Sequence, residues 1–216
     1  DLVITTDNGT DTTNFIDLGI NNTGFSTTTW TVNGSLDGYL YSSNTNFSVG
    51  VAFTNRYLSF FAGGTLVALD SLLAGKAKTA IHFPGAKHHA QYDYSSGFCV
   101  FADFALAADI ATKDFSKKVA ILDFDAHHGD GTENLTAENP NVLSFSIHEK
   151  GIFPGTGNSS IPEKFVYNYP LGDQDGEGDI GKGDAALLKG VTEFGRLADE
   201  FNADLIFVAA GADGHS

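Results

Sequence analysis

Histidine and aspartate gather at a few points of this sequence. Of seven histidines, five stand in two adjacent pairs or directly after an apolar run: His88-His89, His127-His128 and His148. The densest stretch is Asp123-Phe124-Asp125-Ala126-His127-His128-Gly129-Asp130-Gly131. Side chains alternate along an extended backbone, so Asp123, Asp125 and His127 project to one side, where a carboxylate and an imidazole can reach one ion. Oxygen and nitrogen donors of this kind suit Zn2+ or Fe2+, and a catalytic site keeps one position open for water. A third protein ligand is needed, and Asp213, after the last apolar run, is the natural candidate. The remaining carboxylates then orient histidines, because a carboxylate on one ring nitrogen fixes tautomer and basicity at the other. Each Asp or His taken singly could be a solvated helix cap, but the cluster is too dense for routine capping. His82 differs: it lies inside an apolar run without polar company and reads as a structural histidine.

Positions so far apart in sequence need a scaffold that gathers them. From about Gly64 onward, strand-like and helix-like stretches alternate, the signature of a parallel α/β sheet. Leu66, Leu69 and Leu73 share one helical face, closed by Gly75. Ala80 to Phe83 reads as a short strand ended by Pro84-Gly85, and Phe98 to about Thr112 as an alanine-rich buried helix. Val119 to Phe124 is an apolar strand of the type buried on both faces. Val142 to Ile147 and Phe165 to Pro170 are two more. Asp184 caps a helix on which Leu187, Val191, Phe194, Ala198 and Phe201 recur at helical spacing. Leu205 to Ala210 is the last strand, and Gly172 to Gly183 an acidic, glycine-rich loop. In a doubly wound sheet ligands bind at the carboxyl ends of strands. His88-His89, the Asp123–Asp130 segment, His148 and Asp213 each follow an expected strand.

Composition narrows the function classes. The chain has 216 residues, enough for one domain of about 150 residues plus a smaller appendage. With 42% hydrophobic residues it is globular rather than disordered. No apolar run of about 18 residues predicts a transmembrane helix, and no signal peptide is visible, so a cytoplasmic location is expected. The single cysteine forms no internal disulfide. Twelve basic against 27 acidic residues give a net charge of −15, which argues against nucleic acid or an anionic membrane as partner. With no methionine, even at position 1, the chain is expected to be a piece of a longer reading frame. Residues 1–50 differ in texture, with 23 Thr, Ser or Asn and no Lys or Arg. Within them, Thr27 to Tyr41 reads as a hairpin turning at Asn33-Gly34 in a type I′ turn.

The order of motifs in the second part resembles the histone deacetylase superfamily, including its acetoin-utilisation and acetylpolyamine amidohydrolase members. Pro84-Gly85-Ala86-Lys87-His88-His89-Ala90 is similar to that family's proline–glycine segment ending in a histidine pair. Ser96-Gly97-Phe98-Cys99 and Asp123 through Gly131 match its next two landmarks. Ser146-Ile147-His148, Phe153-Pro154-Gly155-Thr156-Gly157 and Ala210-Gly211-Ala212-Asp213 complete a series of six in order over about 150 residues. The resemblance implies a three-layer α/β/α parallel sheet of arginase/deacetylase type, incomplete here, over residues 64–216. It implies Zn2+, with Fe2+ as the second choice, on Asp125, His127 and Asp213. His88 and His89 would be the acid–base pair, with Asp123 behind His88 and Asp130 behind His89. Gly97 would offer its carbonyl to substrate, and Phe98 and Phe153 would line a channel for an acyl-lysine side chain. Asp123, Asp125, Ser146 and the carbonyls of His127 and Ile147 match the family's K+ site. The implied partners are acetyl-lysine peptides or proteins, or acetylated polyamines. Cys99, opening an apolar helix, is a poor nucleophile candidate. The two-manganese arginase site needs a carboxylate two residues after the histidine, where this chain has Gly129, so arginase chemistry is set aside.

Three departures accompany the resemblance. Asn158-Ser159-Ser160-Ile161-Pro162 replaces the family's acidic, glycine-spaced continuation after Gly157. Nothing matches the later segment that carries the family's oxyanion tyrosine and a central strand beside the one before Asp213, so this chain alone is expected to fold poorly or lack activity. Residues 1–63 resemble β-rich modules of tailed-phage virion and tail-fibre proteins instead. Those departures keep a rival reading: a non-enzymatic virion structural or binding protein carrying an inactive deacetylase remnant.

Overall fold

A computed structural model of the chain describes the backbone of residues 3–6, 9–12, 30–33 and 39–41, and residues 61–172 and 183–213 with their side chains. The chain divides into two compact units, Asp1–Phe60 and Phe61–Ser216. Among the described residues no helix is long and apolar enough to cross a membrane.

In the first unit, β1 (Val3–Thr6), β2 (Gly9–Thr12), β3 (Trp30–Asn33) and β4 (Tyr39–Tyr41) form an antiparallel sheet in the order β2-β1-β3-β4. The expected hairpin is present as β3 and β4, but its register differs. Val32 pairs with Tyr39, and Asn33 continues β3 opposite Val3 of β1, so Asn33-Gly34 is not a two-residue turn. The ladder with β1 draws Asn33 into the sheet, and the connecting residues 34–38 lie outside the described residues.

The second unit contains α1 (Gly63–Leu73), α2 (Asp103–Lys113), β5 (Val119–Asp123), α3 (Asp130–Thr136), β6 (Val142–Glu149), β7 (Val166–Leu171), α4 (Asp184–Phe201) and β8 (Leu205–Ala209). The four strands form a parallel sheet in the order β7-β6-β5-β8. Each strand of a parallel pair needs a crossover, and α3 and α4 supply those from β5 to β6 and from β7 to β8.

Period-two alternation sends β5 side chains to both faces. Ala120 and Leu122 pack with Leu143, Phe145 and Phe194, Leu197, Ala198 and Phe201 of α4. Val119 and Ile121 pack with Leu69 of α1, Ala107, Ala108 and Ala111 of α2, and Phe207. The sheet is therefore the middle of three layers. The register pairs Asp123 with Ser146 on one side and with Ala209 on the other, so the carboxyl ends of β5, β6 and β8 lie level.

Several sequence expectations change here. Ala80 to Phe83 is not a strand, and Ile81 and Phe83 are 75% and 95% exposed. A strand requires a partner, and the β7-β6-β5-β8 sheet includes no strand from this segment, which remains a loop. The buried helix begins at Asp103 rather than Phe98, because Gly97 and Phe98 adopt φ of +51° and +61°, which a right-handed helix cannot include. Asp184 is the first residue of α4 and makes no side-chain cap; Gly183 precedes it. On α4 Val191 faces outward, and Gly190 takes its place beneath Ile147.

Ile121 is 1% exposed at the centre of the sheet. Ile121→Ala should destabilise this unit by about 2–5 kcal/mol, read as a lower urea midpoint at unchanged slope.

Candidate active site

The end of β5 is organised by carboxylates that accept backbone N–H groups two residues ahead. Asp123 Oδ1 accepts the Asp125 amide at 3.1 Å, and Asp125 Oδ1 accepts the His127 amide at 2.8 Å. Short polar side chains favour such local turns where a strand stops. From the end of β8, Asp213 Oδ1 accepts the Ala126 amide at 3.1 Å, and its Oδ2 lies 2.9 Å from His127 Nδ1. His127 Nδ1 is also 3.1 Å from Asp125 Oδ1. One donor atom each from Asp125, His127 and Asp213 lies within 4.8 Å of the others. Two carboxylates and an imidazole converging in this way fit a divalent ion with room for a further ligand. Burial alone would raise the Asp213 carboxyl. The Ala126 amide and the neighbouring His127 outweigh it and hold the group below its ordinary range. Gly211 is required for this approach, since a Cβ there would fall 2.1 Å from Asp125 Oδ2.

His88 and His89 sit in the loop after α1, not after a strand, yet the structure brings both to this centre. Both are buried, their rings 4.0 Å apart. His88 Nδ1 is 2.6 Å from Asp123 Oδ2, and His89 Nδ1 is 2.7 Å from Asp130 Oδ1. With Nδ1 occupied by a carboxylate, Nε2 of each ring is left for proton exchange. His88 Nε2 faces Asp125 Oδ1 at 3.8 Å. Burial works to lower the His88 pKa, but the Asp123 hydrogen bond and the charges of Asp123, Asp125 and Asp130 reverse it, and the net direction is upward. The start of α3 also holds the pair by its backbone: the Thr132 amide donates to His88 O at 3.0 Å. Gly131 permits this contact, because a Cβ there would lie 2.3 Å from Ala90 O.

Of the expected channel residues, Gly97 lies against His89, where a Cβ would come within 2.2 Å of the ring. Phe153 places its ring 5.0 Å from His89 and 6.3 Å from His127, half exposed. Phe98 is fully exposed beside Gly97. The Cys99 thiol is buried, donates to Gly97 O at 3.3 Å, and has its pKa raised chiefly by burial. These features suit an inert thiol.

Sequence reasoning missed the groups that hold these side chains from behind. Gln91 Nε2 donates to Asp130 Oδ2 at 2.9 Å, and Asn134 donates in turn to Gln91 Oε1. His128 Nε2 lies 3.0 Å from Glu133 Oε2, and its Nδ1 2.7 Å from Thr156 Oγ1. Asn168 donates to the same Glu133 oxygen at 2.8 Å. For Glu133, burial favours the neutral carboxyl, but the bonds from His128 and Asn168 prevail and lower its pKa. Only the motif positions of His128 and Thr156 hinted at this cluster; Gln91, Asn134 and Asn168 carry no local signature. His82 also has a partner, contrary to expectation: Thr65 Oγ1 is 3.0 Å from its Nδ1.

His148, on β6, is buried between Ser146 and the loop around Gly157. Gly157 O can only accept, so His148 Nε2 carries the proton and donates to it at 3.1 Å, while Nδ1 accepts from Ser146 Oγ at 3.0 Å. Ser146 Oγ accepts the Gly129 amide at 3.4 Å. Burial first, and the nearby His128 second, lower the His148 pKa to about 4 from 6.5. The unfolded chain thus binds this proton more readily than the folded one. The stability from neutral His148 is complete above pH 6.5 and declines as pH falls toward about 4. Replacing His148 with Gln, which never charges, should flatten the fall in urea midpoint across that window relative to wild type.

Comparison with known proteins agrees with the convergence of these groups. A family model described as "Histone deacetylase domain" matches residues 27–216. "Acetoin utilization protein AcuC" of Bacillus subtilis (strain 168) is 35% identical over 189 residues, covering 83% of this chain and 46% of the relative. "Acetoin utilization protein AcuC" of Staphylococcus aureus (strain MRSA252) is 41% identical over 106 residues, 48% of this chain and 27% of the relative. "Histone deacetylase 8" of Xenopus tropicalis is 34% identical over 164 residues, 73% of this chain and 42% of the relative. The chain spans less than half the length of these curated relatives. On the extent of the family match, the parallel sheet and the order of its motifs, the chain belongs to the histone deacetylase family.

Proposed function

We propose that the protein is a zinc-dependent amidohydrolase that removes acetyl groups from acetyl-lysine or acetylated polyamines. The observation that carries this reading is the placing of two histidine–carboxylate pairs, His88–Asp123 and His89–Asp130, beside the donor set Asp125, His127 and Asp213. Oxygen and nitrogen donors without sulfur suit Zn2+, with Fe2+ the nearest competitor. Such an ion supplies Lewis acidity, polarising an amide carbonyl and acidifying water.

The protein's own residues do the rest. His88 and His89 exchange protons at Nε2, one taking a proton from the attacking water and the other giving one to the leaving amine. Asp123 and Asp130 hold the Nδ1 protons and keep both rings oriented. Gly97 and Phe153, both against His89, form one wall of the substrate path, with Phe98 at its exposed mouth. Asp123, Asp125, Ser146 and the carbonyls of His127 and Ile147 are the candidate ligands of a K+ ion that would steady the end of β5. The match to the histone deacetylase domain and the likeness to a histone deacetylase support the acetyl-group reading. The charge of −15 favours cationic substrates, which both acetylated polyamines and lysine-rich peptides are.

The test measures acetate release from an acetyl-lysine peptide and from an acetylated polyamine, together with bound zinc. Against the expectation raised by the unmatched tyrosine segment, wild type should release acetate with zinc bound, and chelation should abolish turnover until Zn2+ is restored. Asp125→Ala should lose the metal and the activity together. His89→Ala should retain the metal while kcat falls by roughly 10²–10⁴. Zinc-loaded protein that releases no acetate from either substrate would overturn the proposal.

A further inference from the structure

The histidine pair is preceded by a backbone that would not hold its shape unaided. Ala86 has φ of +56°, a left-handed conformation that a residue with a Cβ rarely adopts. The His88 amide then turns back onto Ala86 O at 3.0 Å, a three-residue turn centred on Lys87. The left-handed conformation of Ala86 persists only where the surroundings over-determine it.

What over-determines it is the side chain of Asp103, the first residue of α2, 0% exposed. Its Oδ2 accepts the Ala86 amide at 2.9 Å and its Oδ1 accepts the Lys87 amide at 2.7 Å. One carboxylate thus grips both amides of the strained turn. Thr65, from α1, donates its hydroxyl to Oδ2 at 2.5 Å, and His82 Nδ1 lies 3.0 Å from the same hydroxyl. That hydroxyl has one proton, spent on Asp103, so His82 donates from Nδ1 and completes a chain from His82 through Thr65 to Asp103. Gly85 makes room for the chain, since a Cβ there would lie 2.9–3.0 Å from Thr65 Oγ1, Asp103 Oδ2 and His82 Nδ1.

We infer that Asp103 is a positioning residue for the acid–base pair: it sets the Ala86–Lys87 turn from which His88 and His89 project toward Asp123 and Asp130. The inference rests on the reading of that pair given above. A buried acid bound to two backbone amides and one hydroxyl would otherwise count as a structural staple, so the test must separate stability from orientation.

Asp103→Asn keeps the shape but offers an acceptor to only one of the two amides. Thr65→Val removes the third bond and leaves both amides held. In Asp103→Asn, kcat should fall on the order of 10²-fold with KM little changed, the scale of a misplaced reacting group. The Nδ1 proton signals of His88 and His89 in NMR should shift or vanish by exchange, while the Nε2 proton signal of His128, held by Glu133, stays. Thr65→Val should lower the melting temperature and leave kcat and those signals as in wild type. Should the Asn variant not fold, Asp103→Asn with Ala86→Gly serves instead, because glycine takes positive φ without penalty. The same altered signals are then expected. Wild-type His88 and His89 signals in a folded Asn variant, or an equal loss of kcat in Thr65→Val, would overturn the inference. If wild type releases no acetate, the deacetylase reading fails, whereas the imidazole signals still report whether Asp103 orders the pair.

Discussion

The Asp123 carboxylate is the hinge of this architecture. It ends the central strand of the parallel sheet, buried, with one oxygen on His88 and the other on the Asp125 amide. The first contact fixes a residue from a loop far upstream; the second starts the turn that presents Asp125 and His127. A carboxylate moved from water into such a place is costly unless its lone pairs are met, and here they are. The three-layer packing serves this point, because apolar residues on both faces of β5 deliver Asp123 to the sheet's end without leaving a choice of register.

Around that point the site is assembled from contacts too close for ordinary side chains. The start of α3 reaches the backbone of the histidine pair at Gly131, and the end of β8 reaches Asp125 at Gly211. Negative charge is dense here, with Asp123, Asp125, Asp130 and Asp213 together. Each is met by imidazoles, backbone amides or, for Asp130, the Gln91 amide. Hydrogen bonding to the charged form is what allows carboxylates to crowd in this way.

Much of this was legible in the sequence because it rests on short-range pattern. The apolar runs of β5, β6, β7 and β8, the Asp123–Gly131 spacing and the placing of Asp213 after the last strand all translate directly into the sheet and its ligand end. The failures are those of pairing and of long range. Ala80 to Phe83 has strand-like composition but no strand beside it, a fact that no local window contains. The left-handed conformations of Gly97 and Phe98 delay α2, and the draw of β1 on Asn33 moves the expected hairpin turn. Gln91, Asn168 and Asp103 owe their roles to partners on other elements. Their own neighbours in sequence announce nothing.

The candidate donor set Asp125, His127 and Asp213 has a further property, visible in its connectivity. Asp125 and His127 follow β5, the first strand of the second unit, whereas Asp213 follows β8, the last. An ion shared between them would act as a cross-link, closing the whole intervening stretch of chain into one loop. Folding and loading then become linked equilibria: the folded state gains RT ln(1 + [M]/Kd), about 2.7 kcal/mol when free ion is about a hundred times Kd. The seam between β5 and β8 is the part of the sheet whose cohesion would follow the free metal concentration of its surroundings.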